Sequence, residues 1–283
     1  MVSPNLPKIW ALRAPYIPMM AVSVIQAGER PQVGDLNRGM IPEAYQRVAQ
    51  GGDVGANSSL GSQIHEEIID KYGQATSKVS FTSQEHSALQ KFLPDQVADF
   101  CFDIGRSILR NGLIQSCHPD DMRGVLALIF GADKDFSHKN CHAFAYSAFG
   151  VIFFWMKDYG YGNVSIYEGR LTHKNFVKGQ QAGPMAVNAV SVPFWLSDQA
   201  LDFEDDAGKP LFKRAAKKLG SLEIGECYGF VPALAFGGVA DIAHLKRLKA
   251  PQHFAIVAQT MEYNLIDVQG YGQSIVVRPI GPR

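Results

Sequence analysis

The chain has only four cysteines in 283 residues, Cys101, Cys117, Cys141 and Cys227, and no CxxC pair. That scarcity excludes a disulfide framework, because stapled secreted domains are short and cysteine-dense. Lone cysteines behave as small hydrophobes, and reduced thiols fit a cytoplasmic protein. An excess of positive charge is also missing. Lys+Arg and Asp+Glu balance at 27 each, whereas general nucleic-acid binders carry a basic surplus, so direct nucleic-acid binding is not expected. No apolar run is long enough for a spanning helix. The most apolar stretch, Ala143 to Met156, is well short of the roughly 20 residues required, so no membrane association is expected. Its aromatic and β-branched content suits buried strands. Lys8 and Arg13 precede an apolar tract, Ala14 to Val22, but Pro15 and Pro18 interrupt it and no A-x-A site follows, which argues against an export signal.

Motifs of catalysis are equally scarce. GxSxG, HExxH, the P-loop and GxGxxG are all absent, and with them the commonest hydrolase, zincin and nucleotide-binding readings. Glu223 and Glu226 stand three apart across a turn and strand start, where solvated carboxylates are the simpler reading. Cys227, between Glu226 and Tyr228, reads as a buried thiol on an alternating strand or, alternatively, as a nucleophile with a distant histidine. Cys117-His118 and His138 with Cys141-His142 are the best candidate of metal-ligand type. Their spacing matches no finger or ribbon pattern, and His118 before Pro119 looks like a helix start. No metal or other cofactor is expected. An enzyme centred on Cys117, His118, His138 and Cys141, metal-dependent or acting on a small molecule, is the alternative functional class.

What is present predicts an α+β fold with two packed sub-domains. Residues 1–60 read as a loosely ordered extension ending in the linker Gln50 to Ser59, rich in Gly and Ser. A first unit spans residues 61–180. Ile64, Ile68, Ile69 and Tyr72 share a helical face ended by Gly73. Thr82 with Glu85 has capping-box spacing, and Leu93-Pro94-Asp95 breaks that helix and opens another. Leu113 to Cys117 reads as a short strand. Pro119, Asp120 and Asp121 open a further helix, closed by Gly131. An antiparallel meander follows: Phe144 to Tyr146, Val151 to Trp155 and Val164 to Tyr167, the last two separated by a glycine-rich turn, Tyr159 to Asn163. Gly179 to Pro184 is a plausible joint. The second unit, residues 181–283, is smaller and helix-rich. It holds Val190 to Leu196, a helix from Leu211 to Leu219 capped by Gly220, and a strand from Glu226 to Val231. Two helices close it, one carrying Ile242, Leu245 and Leu248, the other starting at Pro251.

Two surface segments invite a partner. Asp202-Phe203-Glu204-Asp205-Asp206 is the densest acidic run; it reads as a solvated loop or as an interface in which Phe203 anchors inside a charged rim. The turn bearing Tyr159 and Tyr161 reads as a strand connection or as a second contact.

The segments Leu219-Gly220-Ser221-Leu222, Gly225 to Leu234 and Phe236-Gly237-Gly238 resemble the C-terminal domain of a family of bacterial immunity proteins encoded beside type VI secreted DNase toxins. Leu93-Pro94-Asp95, Asn111-Gly112-Leu113, His118 to Met122 and Ala148-Phe149-Gly150 resemble the GAD-like domain that precedes it in that family. Where the family places a Trp and a Gly-aromatic pair, this chain has Phe102 and Gly105-Arg106. The resemblance covers roughly Gly61 to Asp267. It implies a non-catalytic cytoplasmic immunity protein that binds a cognate nuclease toxin one-to-one and occludes its active or DNA-binding site. Asp202, Phe203, Glu204, Asp205, Asp206, Tyr159 and Tyr161 are then the expected contacts.

Overall fold

A computed structural model describes residues 60–183, 186–269 and 273–281. Of the expected extension and linker, residues 1–60, all but Leu60 lie outside the described residues, and Leu60 opens the first helix. The chain opens with α1 (Leu60–Tyr72), β1 (Ser77–Val79), α2 (Ser83–Phe92), α3 (Asp95–Ile104), β2 (Arg106–Leu109) and β3 (Ile114–Ser116). It continues with α4 (Pro119–Phe130), β4 (Cys141–Ser147), β5 (Val151–Met156), β6 (Gly160–Ser165), β7 (Arg170–Thr172) and α5 (Lys174–Val177). Then come α6 (Ala186–Trp195), α7 (Asp198–Leu201), α8 (Phe212–Leu219), β8 (Glu226–Phe230), β9 (Leu245–Lys249), α9 (Ala250–Ala258), β10 (Asn264–Val268) and β11 (Ser274–Pro279). The fold is α+β, as expected.

Local chemistry sets the helix ends. Thr82 and Glu85 form the reciprocal capping box at α2. His118 caps α4 through Nδ1, which accepts from the Asp120 N–H, while Asp121 reaches back to the His118 N–H. Pro119 occupies the first turn, where its missing N–H costs nothing. Gly131 and Gly220 end α4 and α8 with positive φ.

One sheet orders its strands β1-β2-β3-β4-β5-β6-β7-β10-β11, and β8-β9 forms a separate pair. Every neighbour in the large sheet is antiparallel except β7 and β10, which run parallel with Leu171 opposite Leu265. Strands β4 to β6 are buried along almost their whole length, so both faces are covered. One helical group, α1, α3 and α6, packs together, with α6 also against β5 and β6; α4 packs on β4 and takes α9 beside it. A single buried core runs through these layers.

The two sequence stretches are stitched by polar contacts as well as by packing. Gln115 on β3 donates from Nε2 to the Glu226 carbonyl at 3.0 Å and accepts at Oε1 from the Gly225 N–H at 3.0 Å and the Tyr146 hydroxyl at 2.8 Å. The Tyr228 N–H donates to the Ala148 carbonyl at 2.9 Å. Arg278 on β11 pairs with Asp133 and Asp135, which follow α4.

Two elements differ from the sequence-based expectation. Leu245 and Leu248 lie on strand β9, not on a helix: the three-residue spacing from Ile242 imitates a helical face, but β8 offers a hydrogen-bonding edge and Leu245 pairs with Phe230. The glycine-rich stretch expected as a turn is strand β6, and the reversal comes earlier, at Met156 to Gly160. Gly162 is there for space, because a Cβ would stand 2.7 Å from both His173 and Phe154.

Candidate partner-binding surface

The acidic run is divided by the fold. Asp202 points inward and its Oδ1 accepts from the N–H groups of Phe203 (2.7 Å), Phe212 (2.8 Å) and Leu211 (3.2 Å). It therefore supplies a remote cap for the start of α8, whose own Ncap residue, Leu211, has no side-chain oxygen to offer. Burial pushes its carboxyl up, opposed by these donors. Asp205 is buried, pairs with Arg214 through Oδ2, and accepts from the N–H groups of Ala207 and Lys209. Phe203 is half-buried among Phe230, Tyr167 and Phe149, with ring centroids 5.4, 5.7 and 6.0 Å away. Only Glu204 and Asp206 of the five face outward, and neither has an ion-pair partner among the described residues.

Tyr159 is half-buried against Phe176 and His173. Tyr161 is buried on β6 between Phe144 and Phe153. Among the described residues no ring contact joins either tyrosine to the acidic turn.

The cysteine–histidine group disperses into structural roles. Among the described residues no set of three or more His, Cys, Asp or Glu side chains could hold a metal ion. His118 is the α4 cap, and the His138 carbonyl accepts from Arg123 at 3.0 Å. All four cysteines are free and buried. Burial pushes Cys101 and Cys141 up to about 12 and raises Cys117 and Cys227 as well, which makes thiolate chemistry at neutral pH unfavourable.

A further exposed surface was not selected from the sequence. The segment after β8, Val231 to Val239, keeps Ala233 and Leu234 against the core but turns three apolar side chains to solvent: Phe236 is 62% exposed, Val239 44% and Val231 38%. The loop is closed on itself by N–H donors from Phe236 and Gly238 to the Ala233 carbonyl and from Gly237 to the Leu234 carbonyl. Gly237 is left-handed at φ 79°. Gly238 is not, but a Cβ there would stand 2.1 Å from the Pro232 carbonyl oxygen. Its signal was legible only as an aromatic residue before paired glycines.

Among the described residues no helix is long and apolar enough to cross a membrane. Comparison with curated proteins finds no match. The crystal structure of Atu4351 from Agrobacterium tumefaciens superimposes with a TM-score of 0.69 at 24% identity, covering 76% of this chain and 97% of that one. At that identity the likeness is one of fold. Residues 63–167 match the model of the GAD-like domain, and residues 193–261 match that of the T6SS immunity protein Tdi1 C-terminal domain. The chain thus carries a GAD-like domain followed by a C-terminal domain of the T6SS immunity protein Tdi1 type.

Proposed function

We propose that this protein is a cytoplasmic, non-catalytic immunity protein that binds a cognate nuclease toxin one-to-one and keeps it from DNA by covering its active or DNA-binding site. The observation that carries the proposal is the match of residues 193–261 to an immunity-protein domain. In this reading residues 61–180 form the GAD-like part and residues 181–283 the immunity part, with residues 1–60 as an extension. Free cysteines with raised thiols suit a reducing compartment, where a toxin that cuts cellular DNA must be met. Glu204 and Asp206 offer unpaired negative charge, which favours fast association with the basic cleft of a nuclease. The chemistry asked of the protein is exclusion: a tight complex leaves no room for the phosphate backbone.

Co-expression with a nuclease toxin encoded beside this gene tests the proposal. Survival of the host, with a stable complex recovered by pull-down and eluting at the mass of one copy of each chain, is the expected result. Survival without a complex would point to an enzymatic antidote, and no survival would remove the immunity role for that toxin.

A further inference from the structure

Phe236 is the most exposed large apolar side chain among the described residues. An isolated apolar side chain on a surface is ordinary, but Phe236 shares its loop with outward-facing Val231 and Val239. The loop is also rigid by construction, closed by its three internal N–H donors and by the contact that forbids a Cβ at Gly238. A ring presented on such a loop loses little conformational freedom on docking, so most of its burial is available to binding.

The charged border is on the page too. The Asp206 N–H donates to the Ala240 carbonyl at 3.0 Å, one residue beyond Val239. Glu204 follows Phe203, whose ring lies 5.4 Å from Phe230, the residue before Val231. Both ends of the apolar loop are therefore tied to the acidic turn. Arg214 is already committed to Asp205, and neither Glu204 nor Asp206 has an ion-pair partner among the described residues, which leaves both carboxylates to meet outside charge.

We infer that the Val231–Val239 loop, bordered by Glu204 and Asp206, is the surface that docks on the toxin, with Phe236 entering an apolar recess beside the toxin's basic, nucleic-acid-binding cleft. This rests on the immunity reading above. Apolar anchor and acidic rim divide the work: Phe236 sets how long the complex lasts, and the carboxylates set how fast it forms.

The test uses the full-length protein and a catalytically inactive form of the nuclease toxin encoded beside it, with association and dissociation followed by interferometry. Phe236→Ala should weaken binding by roughly tenfold or more, mainly through faster dissociation, at an unchanged thermal midpoint. The double variant Glu204→Lys, Asp206→Lys should slow association by about tenfold and flatten its dependence on salt. Val276→Ala, at the equally exposed β11 edge, should change nothing. Wild-type protein that fails to capture the toxin ends the immunity reading and the surface with it. Capture by wild type with Phe236→Ala within about twofold of it leaves immunity standing and overturns the surface alone.

Discussion

The hydroxyl of Tyr167 lies 2.7 Å from Nε2 of His253, joining the end of the meander to α9 inside the core. The rings of Phe203 and Phe230 stand 5.7 and 5.5 Å from that tyrosine, so one polar pair sits within an aromatic cluster drawn from both family segments. Burial pushes the His253 imidazole down to about 4 from its ordinary 6.5.

The same holds for His142 and His173, each pushed down to about 4 by burial. An unfolded chain takes up these protons at higher pH than the folded one, so acid favours unfolding. Stability should be full above about 6.5, fall as pH drops toward 4, and lose nothing further from these groups below that. Urea midpoints across this range check it, and His253→Gln should flatten part of the slope. Glu85, held down to about 2 chiefly by the Thr82 N–H, adds its own loss between its ordinary 4.5 and that value.

Gly238→Val should destabilise the protein by more than about 1 kcal/mol, because a Cβ has no space against the Pro232 carbonyl. The cause is close approach and not a left-handed backbone, which belongs to Gly237. Gly238→Ala should therefore be harmful as well. An unchanged thermal midpoint for both would refute the packing argument.

Gln115→Leu removes one acceptor and one donor from a buried junction, stranding the Gly225 N–H, the Tyr146 hydroxyl and the Glu226 carbonyl. A loss of about 1–3 kcal/mol or more is expected. Denaturant unfolding monitored at the three tryptophans should register it.

The acidic run should split into two classes under substitution. Asp202→Ala and Asp205→Ala uncap α8 and strand Arg214, so they should lower the thermal midpoint. Glu204→Ala and Asp206→Ala should leave it unchanged while slowing association with the toxin. Equal midpoints for all four variants would refute the division.

The sequence made visible those features whose causes are local. Thr82 with Glu85, His118 before Pro119, and Gly131 declare helix ends because the partners lie within a single turn. It concealed features decided at a distance. Leu245 and Leu248 carry a helical spacing, but a neighbouring strand edge decides their conformation. Asp202 looks like part of a solvated charge run until the N–H groups of Leu211 and Phe212 are brought against it. The apolar loop at Phe236 was readable as a motif and not as a surface, since exposure depends on what the rest of the chain leaves uncovered.

The parallel seating of β10 beside β7 has a consequence for how the molecule is made. During synthesis β7 emerges long before β10 is available to occupy its free side. In the interval the growing chain holds an open sheet edge next to strands rich in aromatic side chains, an arrangement that invites pairing with the wrong neighbour. Strands β10 and β11 are therefore the ones that end that exposure, and a chain stalled before residue 264 would be an aggregation hazard although both family segments had already been translated.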